Sequence, residues 1–257
     1  MAQPKVLFYD IETSPCLAWV WSKWVDGSVI EIDRSWYIMC IAWKWGHQSK
    51  TYVTALPDFD TYPDDPENDI HVVKQLWELF DEADVVVGHN ADRFDMRKAN
   101  ARFLEQGLGA PSPVQQVDTL KIARKHFLFD SNRLDVLGQA FDLGRKAPTG
   151  GFKLWRQCME GKKSAWNTMK KYNKQDVVLL EDVYMAMRPW MKGHPSLNLI
   201  ADRPRSCPIC AAPKESMVRR GKRYTKVSAF QQWRCSDCGG YSRSRVKEPL
   251  PTVELVN

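Results

Sequence analysis

Four acids, Asp10, Glu12, Asp95 and Asp176, stand in three segments far apart along the chain: FYDIET, GHNADRFD and YNKQDV. In the first segment, period-two alternation sends Asp10 and Glu12 to one side of a strand and turns Ile11 toward a core. In the third, helical spacing sets Tyr172 and Asp176 one above the other on a single face. Carboxylates gathered from three segments into one cleft repel and raise one another's pKa values unless a cation neutralises them. An all-oxygen donor set suits Mg²⁺ or Mn²⁺. Taken singly, each acid has a plainer explanation, because an Asp at a strand end commonly forms a turn or caps a helix. Asp118 reads as such a cap. His89 and Asn90 either orient their loop or touch a substrate.

A second set of reactive side chains lies near the other end. Cys207 and Cys210 form one C-x-x-C pair, Cys235 and Cys238 another, with 24 residues between the pairs. Two such thiolate pairs can close a tetrahedral Zn²⁺ site. Pro208, Gly239 and Gly240 suit the tight turns that aim backbone amides at sulfur. Cys16, Cys40 and Cys158 are scattered, so the seven cysteines argue for metal in a reducing compartment rather than for disulfides. A module of about 45 residues buries little core, so metal binding should supply most of its folding energy.

Charge sets this second region apart. Residues 203–248 hold 12 Lys and Arg against three acids, whereas residues 1–202 hold 25 against 27. The surplus follows Arg219, Arg220, Lys222 and Arg223 and is interleaved with Tyr224, Phe230, Trp233 and Tyr241, a composition suited to tracking phosphates and stacking bases. A solvated hairpin whose aromatics form a small core is the alternative, with Phe230 or Trp233 buried. Docking onto a protein, such as a polymerase, is the main functional rival.

The elements that would position these groups follow from periodicity. PKVLFYDIET reads as a buried strand, followed by a Trp-rich connection (Trp19, Trp21, Trp24) and strands over 36–45 and 50–55. The proline-rich acidic stretch PDFDTYPDDPEND is a loop. Ile70, Val73, Leu76, Trp77 and Phe80 mark a helix leading into the strand Val85–Val87, and Phe94 to Gln106 a second helix. Helical pieces follow at 119–127 and 134–141, then a loop, GRKAPTGG, and a long helix over 164–191. Pro195 and Pro204 bound a linker. This alternation is that of an α/β layered domain, giving 1–202 as one domain, 203–248 as a second and 249–257 as a tail. Most of the tryptophans are expected in the core, although those at 19, 21, 24, 43, 45, 155 and 166 have the chemistry to stack on bases.

The three acidic segments resemble motifs I, II and III of the DnaQ-like 3′→5′ exonucleases of the ribonuclease H-like superfamily: D-x-E at Asp10 and Glu12, N-x-x-x-F-D from Asn90 to Asp95, and Y-x-x-x-D from Tyr172 to Asp176. The tyrosine in the last is that of the DEDDy branch, and the resemblance covers most of residues 5–190. It implies a ribonuclease H-like mixed sheet flanked by helices, here with a small four-cysteine zinc ribbon appended. It also implies two divalent ions about 4 Å apart, with Asp10 bridging them, Glu12 and Asp176 completing the ion on the nucleophile side, and Asp95 anchoring the other. Tyr172 would orient the attacking water. The implied reaction removes nucleoside 5′-monophosphates from single-stranded or frayed 3′ ends, with DNA placed ahead of RNA.

Other classes are less well served. A non-catalytic adaptor would have no need of all four carboxylates and the tyrosine, and an endonuclease of the same superfamily would cut a circular strand. The expected partners are nucleic acid and a polymerase or other replication protein. Without an apolar run of about 18 residues or a signal-like start, no membrane role is expected and the location is cytoplasmic, or host-cytoplasmic for a viral chain.

Overall fold

A computed structural model describes residues 3–24, 27–145 and 150–249. In chain order the elements are β1 (Val6–Thr13), β2 (Leu17–Trp19), β3 (Glu31–Arg34), β4 (Ile38–Trp45), β5 (Tyr52–Ala55), α1 (Ile70–Glu82), β6 (Val85–Gly88), α2 (Asp95–Glu105), β7 (Gln115–Asp118), α3 (Thr119–His126), α4 (Leu134–Ala140), α5 (Phe152–Met159), α6 (Lys163–Met187), α7 (Leu197–Ile200), β8 (Met217–Tyr224), β9 (Ala229–Cys235) and β10 (Tyr241–Lys247). They fall into two compact units, one spanning Lys5–Lys121 and Phe129–Val183, the other containing Ile122–Leu128 and the described residues from Tyr184 onward.

In the first unit β1 is the middle strand of a five-stranded sheet ordered β5-β4-β1-β6-β7. It pairs antiparallel with β4 and parallel with β6. The β-branched run Val85–Val87 is buried on both faces, as a strand in the parallel half of a covered sheet must be. Leu76 and Phe80 of α1 and Phe103 of α2 pack with Tyr9 and Ile41 in one core, and Phe80 meets both Tyr9 and Phe103 edge to face. The mixed α/β expectation holds.

Asp69 ties β4 to two helices. Its carboxylate, completely buried, accepts the Ile38 N–H at 2.8 Å, the Arg102 Nε–H at 2.8 Å and a Gln106 amide N–H at 3.1 Å, and pairs with a second Arg102 nitrogen. Lys44 of β4 and Glu181 of α6 form a largely buried ion pair.

Four stretches differ from the sequence reading. The Trp-rich connection contains the hairpin β2–β3, and Trp19, Trp21 and Trp24 are exposed rather than in the core. A single two-stranded ribbon has no second layer over it, so its aromatic side chains stay in water. A strand, β7, precedes the helical piece read at 119–127, and the helix α5 follows the GRKAPTGG loop, of which residues 146–149 lie outside the described residues. The expected linker between Pro195 and Pro204 carries the short helix α7, whose Leu197 N–H bonds to Pro208 O at 2.8 Å. Most of the tail 249–257 lies outside the described residues. Among those described, no helix is long and apolar enough to cross a membrane.

In the second unit β8, β9 and β10 form an antiparallel sheet ordered β10-β9-β8. It packs with the four cysteines of the C-x-x-C pairs, Ile209, Ala212 and Met217 in a separate small core.

Candidate active site

Period-two alternation acts on β1 as expected. Ile11 is 3% exposed in the core, while Asp10 and Glu12 face the other way, opposite Ala42 and Cys40 of β4. Those two small buried partners leave room for α6 above them. From α6, Asn173 donates its amide N–H to Asp10 Oδ2 at 2.6 Å, and its Oδ1 accepts from the Cys40 thiol at 3.5 Å. One turn further on, Asp176 completes the group: Asp10, Glu12 and Asp176 each offer a carboxylate oxygen, all within 4.8 Å of one another. Three anionic oxygens converging this closely make a donor set that fits a hard divalent cation.

Tyr172 hydrogen-bonds Asp176 through its hydroxyl, as the i, i+4 spacing requires. Burial, followed by the charges of Asp176 and Glu12, holds the phenol well above its ordinary value. At neutral pH the hydroxyl is protonated and donates a hydrogen bond.

Asp95 is the first residue of α2 and only 5% exposed. Its carboxylate is outside the three-acid group and instead accepts the backbone N–H of Ile11 at 3.2 Å, directly between Asp10 and Glu12. The pairing of β1 with β6 stops at Phe8↔Val87. Beyond that point Asp95 supplies the acceptor that a neighbouring strand would have given. Burial, opposed by backbone hydrogen bonds, pushes its carboxyl up to about 6.

The turn leading to Asp95 is fixed by Asp118. That carboxylate accepts N–H groups from Asn90 at 3.0 Å and Asp92 at 3.3 Å, and from Leu120 and Lys121 in the first turn of α3 at 2.9 and 3.3 Å. Asp118 is therefore the helix cap expected, and also the anchor of the loop. Asn90 adopts a left-handed conformation with φ 65°, which Asn tolerates better than most residues. Gly88 before it admits no side chain, because a Cβ there would lie 2.5 Å from that of Ala91.

An open groove of about 510 Å³ is lined by Thr13, Ser14, Pro15, Gly151, Phe152 and Trp155. It is continuous in sequence with Glu12, and Trp155 packs edge-on against Tyr172 with ring centroids 6.3 Å apart.

The sequence profile of the RNase H superfamily matches residues 38–188, more than half of the chain. The chain belongs to the RNase H superfamily. Its fold is similar to that of the family B DNA polymerase from the hyperthermophilic archaeon Pyrobaculum calidifontis, with a TM-score of 0.52 and 16% identity. The match covers 74% of this chain and 25% of the polymerase chain, so this chain corresponds to about a quarter of that protein's length. No curated protein matches the sequence. Asp95 on α2 and Asp176 on α6 fall within the matched residues, and Asp10 and Glu12 on β1 precede them.

Asn173 was missed by sequence reasoning. A completely buried amide in the helical turn between Tyr172 and Asp176 shows as a polar residue on the apolar side of YNKQDV, and that was the available signal.

The second unit brings the four C-x-x-C cysteines together. Sγ atoms of Cys207 and Cys238 are 3.7 Å apart, and those of Cys210 and Cys235 are 3.8 Å apart. A tetrahedron with Zn–S bonds of about 2.3 Å has an edge of about 3.8 Å, so the sulfurs fit that ion. The two knuckles are alike. Ala211 and Gly239, each four residues after the first cysteine of its pair, have φ of 57° and 73° and donate N–H to the carbonyls of Cys207 and Cys235. Arg219, Arg220, Lys222 and Arg223 are exposed on β8. Phe230 is buried and Trp233 is half-buried.

Proposed function

We propose that the protein is a 3′→5′ exonuclease that hydrolyses phosphodiester bonds at single-stranded or frayed 3′ ends, with two divalent cations held by Asp10, Glu12, Asp95 and Asp176. The observation that carries this reading is the meeting of three carboxylates from β1 and α6 within 4.8 Å, beside a tyrosine bonded to one of them. Membership of a nuclease superfamily supports hydrolysis of nucleic acid. When bound, divalent cations supply the positive charge that makes water acidic at neutral pH and stabilises the departing 3′-oxygen.

The protein's own groups orient the reaction. Asn173 fixes the rotamer of Asp10, the Ile11 amide fixes Asp95, and the Tyr172 hydroxyl donates its one hydrogen bond to Asp176. The open groove between Thr13 and Trp155 offers an aromatic wall on which a terminal base can stack. DNA is preferred to RNA on the fold likeness to part of a DNA polymerase, and a polymerase or other replication protein is the corresponding partner. In the other unit Cys207, Cys210, Cys235 and Cys238 hold one structural Zn²⁺, a reading supported by the sulfur spacings of 3.7 and 3.8 Å.

The test is digestion of 5′-labelled, 3′-labelled and circular strands of DNA and RNA with Mg²⁺ or Mn²⁺. A 3′ label released at once as mononucleotide, with a 5′-labelled ladder shortening stepwise and the circle intact, is the expected result. Cutting of the circle would make the protein an endonuclease, and the absence of cleavage with either cation would remove the enzymatic reading.

A further inference from the structure

Side chains of β8, β9 and β10 alternate between two faces of their sheet, and residues directly paired across strands share a face. On β9, the rows at Phe230, Gln232 and Arg234 belong together. Phe230 pairs with Arg223 and Lys247, Gln232 with Arg243, and Arg234 with Val218 and Tyr241. The intervening rows put Arg219 beside Trp233 and Lys222 beside Gln231, on the same face as Met217 and Cys235. Cys235 is completely buried in the thiol cluster, so this second face is the one that carries the cluster.

The outer face is therefore built from all three strands. Arg223, Arg234, Arg243 and Lys247 are exposed on it, and among the described residues no carboxylate occupies its rows. The Arg243 guanidinium lies over the Phe230 ring, 4.2 Å from its centroid, and Tyr241 at the far row is 52% exposed. Alternation and the irregularity between Arg219 and Lys222 thus split the run VRRGKRY. Lys222 lies 3.8 Å from Glu248 and Arg219 lies over Trp233, on the face that carries Cys235.

We propose that this outer face binds single-stranded nucleic acid, its phosphates held by Arg223, Arg234, Arg243 and Lys247 and one base stacked on Tyr241. The assignment rests on the reading that the protein acts on nucleic acid. Four cations without a compensating acid suit a polyanion. An exposed phenol among them adds a surface for an unpaired base, which a duplex would not offer.

Binding is measured on full-length Asp10→Asn protein, by fluorescence anisotropy over a salt series, with a short oligothymidylate and with an abasic strand of equal length. The pair Arg234→Gln/Lys247→Gln sits at exposed positions with no ion pair among the described residues, so the sheet stays intact. It should weaken binding about tenfold and make the slope of log K against log salt shallower by about 1.4, two contacts at about 0.7 each. Arg219→Gln/Lys222→Gln removes the same charge from the face that carries the thiol cluster and should change affinity by less than about twofold. Tyr241→Ala should weaken binding of oligothymidylate and leave the abasic strand unaffected. Equal losses from the two double variants, unchanged binding by the first, or tighter capture of polyglutamate through the same residues would overturn the proposal. Absence of any nucleic-acid binding by the parent protein would instead overturn the reading on which it rests.

Discussion

Tyr172, Asn173 and Asp176 occupy one turn and a half of α6, yet they act on the site in different ways. Asp176 offers a ligand oxygen, and replacing it or Asp10 by Asn should lower turnover by at least about a thousandfold with the fold intact, because the cation clamp is lost. Tyr172→Phe keeps the ring against Trp155 and removes only the hydroxyl, for a loss of roughly ten- to a thousandfold. Asn173→Ala frees the Asp10 carboxylate to rotate, so the Mg²⁺ concentration for half-maximal rate should rise while saturating Mg²⁺ restores most of the turnover. Initial rates across a Mg²⁺ titration distinguish the three, and wild-type behaviour in Asp10→Asn would end the assignment. Asp95 adds a pH signature. With its carboxyl at about 6 in the folded protein against an ordinary 3.8, the folded state holds a proton that the unfolded state has released. Without divalent cation, wild-type stability should therefore fall as pH rises from about 4 through 6. Asp95→Asn keeps an acceptor for Ile11 and lacks this loss, so it should be the more stable protein above that window, by on the order of 2–3 kcal/mol. Denaturant titrations of both proteins at pH 4 and 7 test it, and a gap that does not widen with pH would remove Asp95 as its source.

Elements with a full period of apolar residues were legible in the sequence. The alternation of FYDIET gave β1 and the side on which Asp10 and Glu12 lie, and Ile70, Val73, Leu76 and Phe80 gave α1. The hairpin β2–β3 and the strand β7 were not, since Leu17–Trp19 and Gln115–Asp118 are short and their pairing is decided by neighbours distant in sequence. Asp69 is the clearest case of context deciding a role. In the sequence it is the last acid of a polar loop, whereas in the fold it is completely buried against Ile38, Arg102 and Gln106. No local pattern distinguishes it from Asp64 or Asp65, which are exposed. Asp69→Ala should cost about 3–5 kcal/mol, because the Arg102 guanidinium and the Ile38 amide lose their acceptor together. Thermal or denaturant unfolding measures this, and Asp65→Ala, expected within about 0.5 kcal/mol of wild type, provides the contrast. A loss under about 1 kcal/mol for Asp69→Ala would mean that the network is solvated and does not hold β4 to the helices.

At the scale of the molecule, the two units offer different donor sets, carboxylate oxygens in the first and thiol sulfurs in the second, and their cores differ in kind. The sheet of the first unit buries large side chains such as Tyr9, Phe80 and Leu76 completely and has no need of a cation to fold. The cluster beneath the basic sheet of the second consists mainly of cysteines with Ile209 and Ala212, little apolar surface to order that sheet without an ion among the sulfurs. Stripping the protein with a chelator selective for zinc, then assaying with excess Mg²⁺, should separate the two roles. Turnover at saturating single-stranded substrate should persist, since Asp10, Glu12, Asp95 and Asp176 belong to the first unit. An unfolding transition present in the untreated protein should disappear on stripping and return when Zn²⁺ is restored, and Cys235→Ser should lack it throughout. At low substrate the stripped enzyme should be slower and less sensitive to salt, because the arginines of β8, β9 and β10 are no longer held on one surface. Loss of turnover at saturating substrate after zinc removal, with the first unit still folded by circular dichroism, would show that the sulfur-bound ion serves the chemistry rather than the fold of its own unit.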